Sequence, residues 1–237
     1  MQKLTRFPHQ IEGAIFIGKY GSCALFMEPR TGKTFVVLDG CTRLNKQTIL
    51  IMCPSNVIPA WEDALLGDGV PAHLICTIHK RGKSIKRIKN LLMCPTPKYF
   101  IINFEKVKEA DALNIRLRGP QCYGLPNWDA IIIDESYRIS NYEALLTDYL
   151  LRYPIPEGQH RWALTGTPGQ PIHYASQFMF VHGEYFGGKS VGSYLIKYWR
   201  YDKEKYLSKQ IKNNKIYYSG YVTQIFIPQE IPIRKSY

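Results

Sequence analysis

The sequence has no Cys-x-x-Cys pair, although it contains six cysteines. Cys23, Cys41, Cys53, Cys76, Cys94 and Cys122 are scattered, several of them inside apolar runs. That argues against a zinc site or a disulfide framework and fits reduced, buried thiols of a cytosolic protein. No apolar run approaches the ~20 residues needed to cross a bilayer, and residues 1–6 carry no apolar signal stretch. A cytoplasmic location and no membrane partner are therefore expected. Long internal repeats and low-complexity linkers are also missing, which argues against a solenoid or a string of domains. Acidic residues are scarce: 19 Asp and Glu against 31 Lys and Arg leave a formal charge of +12. Such an excess suits a polyanionic partner, most commonly nucleic acid, although a surface tuned for solubility gives the same count. The 237 residues, 45% of them hydrophobic, suffice for one large domain or two small ones with an ordinary core.

What is present centres on Met27-Glu28-Pro29-Arg30-Thr31-Gly32-Lys33-Thr34. Apolar residues 23–26 precede it and apolar residues 35–38 follow, so the order reads strand, tight loop, helix. Backbone N–H groups at the start of such a helix face a polyphosphate, and the helix dipole adds positive charge there. Lys33 would reach the β- and γ-phosphates, and the Thr34 hydroxyl would ligate Mg²⁺. The spelling departs from G-x-x-x-x-G-K-[ST], because Met27 stands where the first glycine belongs. A turn that merely contains Gly-Lys-Thr would read the same locally, and the rest of the chain has to decide.

Upstream, Phe7-Pro8-His9-Gln10 opens a helical apolar period at Ile11, Ala14 and Ile15, with Pro8 suited to the first turn. The Gln10 amide, donor and acceptor at once, can match an adenine edge. Downstream, residues 48–53 form a continuous apolar run that reads as a buried parallel strand. Pro54 and Ser55 end it, and Val57, Ile58, Trp61 and Leu65 then keep a helical period. Ser55 can cap that helix or offer its hydroxyl to a phosphate. Residues 79–89 are the densest basic segment, a solvated helix face or a nucleic-acid contact. Residues 99–102 form another short strand, ending at Asn103-Phe104-Glu105.

The second sharp signal is the apolar run ending in Asp134-Glu135. Two carboxylates at the C-terminal end of a strand stand where parallel α/β sheets bind ligands. Asp134 would hold Mg²⁺ through water, and Glu135 would polarise an attacking water. A short strand then ends in Thr165-Gly166-Thr167-Pro168, whose hydroxyls could hydrogen-bond the acid pair. Residues 194–221 interleave Tyr with Lys, a pattern that either tracks a sugar-phosphate chain or packs its tyrosines on the lobe.

The ordered set Phe7–Gln10, Glu28 to Thr34, Cys53-Pro54-Ser55-Asn56 with Pro59 and Trp61, Asn103-Phe104-Glu105, residues 134–141, and residues 164–168 with Gln170 resembles the first motor lobe of superfamily 2 helicases. It is most similar to the Swi/Snf-type DNA translocases. The resemblance is strong over roughly residues 5–175, and Tyr185-Phe186-Gly187 and residues 227–231 resemble segments leading to that family's inter-lobe linker. It implies an α/β fold, a RecA-like P-loop NTPase lobe with a parallel sheet and helices on both faces, over residues 1–180. Residues 181–237 would be a basic, Tyr-rich extension. The implied activity is DNA-dependent hydrolysis of ATP with Mg²⁺. Gln10 would read adenine, and Arg30, Thr31, Gly32, Lys33 and Thr34 would line the nucleotide. Asp134 and Glu135 would serve metal and water, with Lys33 as their catalytic partner. Pro54, Ser55 and Asn103 would meet the DNA backbone, duplex rather than single-stranded. Thr165, Gly166 and Thr167 would couple hydrolysis to strand movement.

Two further departures qualify the family pattern. Tyr137 replaces the histidine usual after Asp-Glu-x, and Arg30 replaces a glycine of the phosphate loop. No second Gly-Lys-Thr follows, so a second chain or self-association is expected to supply the other motor lobe and its arginine. The alternative is a non-motor DNA-binding or protein-interaction subunit that keeps the fold and hydrolyses little ATP, or a subunit of a restriction or repair complex. The compact size and loose motif spelling suggest a viral or mobile-element source, in which case the location is the host cytoplasm.

Overall fold

The structure, a computed structural model, describes residues 5–78, 91, 95–106, 128–140, 145–152, 155, 157–167, 171–182, 208–212 and 215–219. The basic segment 79–89, Cys94, Cys122, Asn141, Pro168, Gln170, residues 185–187 and residues 227–231 lie outside these. Six strands form one sheet: β1 (Cys23–Phe26), β2 (Thr48–Cys53), β3 (Ile75–Thr77), β4 (Lys98–Asn103), β5 (Ala130–Asp134) and β6 (His160–Thr165). Their spatial order is β1-β6-β5-β2-β4-β3, and every pairing is parallel. Strands buried on both faces have no room for polar alternation, which is why β2 and β5 read as unbroken apolar runs.

The two faces carry separate cores. On one, Ile49, Ile51, Ile132, Trp162 and Leu164 pack against Ile17 of α1 (Pro8–Tyr20), Val36 and Val37 of α2 (Lys33–Arg43), and Trp61 and Leu65 of α3 (Ile58–Gly67). On the other, Leu50, Met52, Ile131, Ile133 and Ala163 pack against Leu150 of α4 (Leu145–Arg152) and Met179 and Phe180 of α5 (Pro171–His182). Alternate residues of each strand thus point to opposite cores, and the expected sheet with helices on both faces is observed. Arg6 fastens the start of the chain to this frame. Its guanidinium donates to Asp39 at 2.8 Å, also pairs with Asp68, and lies over the Phe35 ring.

Two further strands, β7 (Ser208–Lys212) and β8 (Lys215–Ser219), pair antiparallel with Ile211 opposite Ile216. This hairpin falls inside the Tyr- and Lys-rich stretch, where the sequence suggested no strands. Cys23, Cys41, Cys53 and Cys76 are buried. Burial pushes the thiols of Cys23, Cys41 and Cys53 up to about 12. Among the described residues no helix is long and apolar enough to cross a membrane.

Candidate functional site

Because the strands are parallel, all of their C-terminal ends lie at one edge, and the predicted site residues converge there. Phe26 is level with Thr165, Asp134 with Leu164, Met52 with Ile133, and Cys53 with Asn103. The phosphate loop, the Thr165 turn, the acid pair, Pro54-Ser55 and Asn103 therefore follow one another along that edge in the strand order. β6 sits between β1 and β5, so the Thr165 turn lies between the loop and the acids.

The loop closes without its first consensus glycine. Thr31 donates its N–H (3.4 Å) and its hydroxyl (2.7 Å) to the Glu28 carbonyl, making a tight turn over Pro29 and Arg30. Proline presets the backbone for such a turn, while the next position favours glycine. Here Arg30 occupies it with φ 64°, in the left-handed region where a side chain costs about 1–2 kcal/mol. Gly32 follows with φ 82° and begins α2. A Cβ at Gly32 would collide with the Gln10 amide, so this glycine serves both conformation and close approach.

Lys33 Nζ donates to the Met27 and Glu28 carbonyls at 3.0 and 3.1 Å, holding its ammonium within the loop. Gln10 is buried at 5% exposure. Its Oε1 accepts the Phe7 N–H at 3.0 Å, and its Nε2 donates to the Thr31 carbonyl at 3.0 Å. His9 Nε2 reaches the same carbonyl at 2.9 Å. The amide retains one N–H and one lone pair on its oxygen beyond these two bonds. Gln10 thus ties α1 to the phosphate loop.

Asp134 and Glu135 occupy contrasting settings. Asp134 is nearly buried, with Oδ2 accepting Trp61 Nε1–H at 2.8 Å and Oδ1 accepting the Glu135 N–H at 2.9 Å. Burial raises its pKa, against the pull of those two hydrogen bonds and of Lys33. Glu135 is half-buried with φ 52°, a second side chain in the left-handed region. Burial first and the Asp134 charge second raise its pKa too, with Lys33 and Arg138 opposing. Two carboxylates facing one ammonium form a site whose field favours an added cation.

The Thr165 turn joins the loop more directly than it joins the acids. The Met27 N–H donates to the Thr165 carbonyl at 3.2 Å. A Cβ at Gly166 would stand 2.9 Å from Pro29 Cγ, so only hydrogen lets the turn lie against the loop. Thr165 is fully buried and its Oγ1 accepts the Thr167 N–H at 3.1 Å. Among the described residues no hydrogen bond joins its hydroxyl to Asp134 or Glu135. The bridge from the acid segment runs instead through Ser136 Oγ, which donates to Gln177 Oε1 of α5 at 2.6 Å, both residues at 0% exposure. Ser176 Oγ adds a bond to the Ser140 carbonyl at 3.3 Å. Sequence reading missed this bridge, as it missed the Trp61 contact, because neither residue type announces its partner. Ser55 is exposed, Pro54 is buried, and the Asn103 side chain caps the following turn by accepting the Lys106 N–H at 2.9 Å. Tyr137 is 40% exposed, directed to solvent rather than into the core.

The SNF2-related domain family matches residues 14–192. The chain belongs to the SNF2-related domain family. Two solved structures share the fold of this SNF2-related lobe. The SWI2/SNF2 ATPase core of Sulfolobus solfataricus, solved in complex with double-stranded DNA, is 21% identical with a TM-score of 0.59, over 83% of this chain and 39% of that one. The Hef helicase domain of Pyrococcus furiosus is 16% identical with a TM-score of 0.56, over 74% of this chain and 36% of that one. The lobe thus has the same RecA-like α/β fold as these two, and it spans under two fifths of each of these chains. Membership makes it a SNF2-type, helicase-like motor domain of a nucleotide-using family.

Proposed function

We propose that this SNF2-related lobe binds ATP with Mg²⁺ at the C-terminal edge of its sheet and hydrolyses it in response to duplex DNA. The observation that carries the reading is the adjacency of β1, β6 and β5, which sets the phosphate loop and the acid pair on either side of the Thr165 turn. The ATP phosphates lie on the N–H groups at the start of α2, from Gly32 through Thr34, with Arg30 and Thr31 flanking them. Lys33 exchanges its two loop carbonyls for phosphate oxygens. Gln10 keeps its two loop bonds and reads adenine with the donor and acceptor it has left.

The donor set suits Mg²⁺. Thr34 offers a hydroxyl, and each Asp134 oxygen, with one fixed donor already, keeps a lone pair for a metal-bound water. When bound, the metal neutralises charge on the phosphate oxygens. Glu135 orients the attacking water and accepts its proton, helped by a pKa raised by burial and by Asp134. Ser55 and Asn103, at the ends of β2 and β4, meet the DNA backbone beside Pro54. Thr165, Gly166 and Thr167 pass movement between the loop and the rest of the edge. Residues 1–180 form the ATP-binding lobe, and residues 181–237 are a basic, Tyr-rich extension leading to the inter-lobe linker. A second chain, or a copy of this one, supplies the opposing arginine, a contribution of about 10³–10⁵ in rate for related nucleotide hydrolases. The location is cytoplasmic.

Calorimetric titration of MgATP tests the site. Lys33→Ala should lose about 100-fold or more in affinity while its melting temperature stays near that of the wild type. Unchanged affinity would refute the assignment. A second reading, a DNA-binding subunit that hydrolyses little ATP, draws on the exposed Tyr137 in place of the family's histidine. Turnover at background with DNA and every candidate partner present would favour it.

A further inference from the structure

The helix that follows the proposed DNA contact also reaches the proposed metal ligand. β2 ends at Cys53, and Pro54 opens a single 3-10 turn, Ser55–Val57, closed by the Val57 N–H on the Pro54 carbonyl at 2.9 Å. That turn runs directly into α3, with Trp61 one turn inside. Ser55 is exposed at the site edge, while Trp61, roughly 10 Å further along the helical path, is 1% exposed. Its ring packs in the core between α3 and the sheet, where any large apolar side chain would fill space. Its N–H does something that such a side chain could not do: it donates to Asp134 Oδ2 at 2.8 Å.

An indole has one donor and no acceptor. Asp134 is held by this donor on one oxygen and by the Glu135 N–H on the other. Together they fix the rotation of the carboxylate, and hence the direction of the lone pairs left for a metal-bound water. A shift of α3 moves one of the two donors and leaves the other in place, turning the carboxylate. Resting on the functional reading above, we propose that Trp61 is a positioning residue that links a DNA phosphate at Ser55 to the Mg²⁺-facing carboxylate of Asp134. By linkage, DNA and MgATP then change each other's affinity by the same factor. If Trp61 only fills the core, its loss lowers stability and leaves that factor untouched.

The test is a set of equilibrium titrations of MgATP with and without a short DNA duplex, on the wild type and on Trp61→Phe. In the wild type the duplex should change MgATP affinity by about fivefold or more, within the range of ordinary coupling. In Trp61→Phe the affinity for Mg²⁺-free nucleotide and for DNA should stay within about twofold, the coupling should fall below about twofold, and half-saturating Mg²⁺ should rise. Unchanged coupling in the variant overturns the proposal. So does a wild type that binds both ligands with no coupling. A wild type that binds no MgATP overturns the functional reading instead, and this proposal with it.

Should Trp61→Phe fail to fold, the wild type itself answers. Its four tryptophans give four indole ¹⁵N signals, and Trp61 is the one displaced by Asp134→Asn. That signal should move on adding ATP with Mg²⁺ and also on adding duplex alone. A signal that the duplex leaves in place overturns the proposal.

Discussion

At the C-terminal ends of the strands, the chain holds two side chains in the left-handed region, two adjacent carboxylates with raised pKa, and a lysine bonded to its own loop. At the N-terminal ends it does the reverse. Asp129 Oδ2 accepts the N–H groups of Gln47 and Thr48 at 3.0 and 2.8 Å, and Asp129 and His160 donate back along the edge. Lys46 Nζ closes on the Gly158 carbonyl at 2.7 Å. The left-handed residue near this end is Asn45, a type that tolerates that backbone, whereas Arg30 and Glu135 are not. The two ends share a sheet and a register and differ in purpose. One stitches strand starts together and adds stability. The other carries strain and uncompensated charge, which a ligand can relieve.

Substitutions at each end sharpen that contrast. The largest stability effect is expected from Asp129→Ala, which leaves two backbone donors without their carboxylate. It should cost about 1.5–3 kcal/mol in chemical denaturation and leave nucleotide affinity unchanged. A fall in affinity equal to that in stability would erase the distinction between the ends. Arg30→Gly should act with the opposite sign. Relief of a left-handed side chain, offset by the greater freedom of glycine in the unfolded chain, should stabilise the fold by up to about 1 kcal/mol. Nucleotide affinity should fall in the same protein. Gain in both would mean that the strain at this position serves nothing at the site.

The smallest effect concerns pH. His160, at the N-terminal edge, has its pKa lowered by burial and then by Lys46. A backbone hydrogen bond at Gly158 opposes that shift without reversing it. The unfolded chain therefore binds the proton more readily, and stability falls as pH drops through 6.5 toward the folded-state value. Melting temperatures between pH 7.5 and 5.5 should decline less for His160→Phe than for the wild type. Parallel declines would remove His160 from the account.

Much of this was legible in the sequence, and the omissions have physical reasons. Apolar runs announced β2 and β5, because strands covered on both faces have nothing polar to show. The octet at Met27 announced the tight loop between β1 and α2, although its missing glycine obscured how Pro29 and the Thr31 hydroxyl close the turn. Trp61 read as one position of a helical period and as a mark of the family resemblance; its bond to Asp134 spans 73 residues of sequence and leaves no local trace. The Ser136–Gln177 bridge is hidden for the same reason. Arg161, on β6, is a charged residue at a fully buried position, donating to Gln159 Oε1 at 3.1 Å and lying over the Phe180 ring. Burial lowers its pKa to about 10. The β7–β8 hairpin was masked by its own composition, since alternating Lys and Tyr suggested a path for a polynucleotide before it suggested strands.

The most direct test of the whole account is ATP turnover by the purified chain, with and without duplex DNA, beside Glu135→Gln. Turnover should rise with DNA and fall in the variant by about 10²–10⁴-fold, the usual contribution of a positioned general base, with MgATP still bound. Turnover that is indifferent to DNA and survives in Glu135→Gln would contradict it.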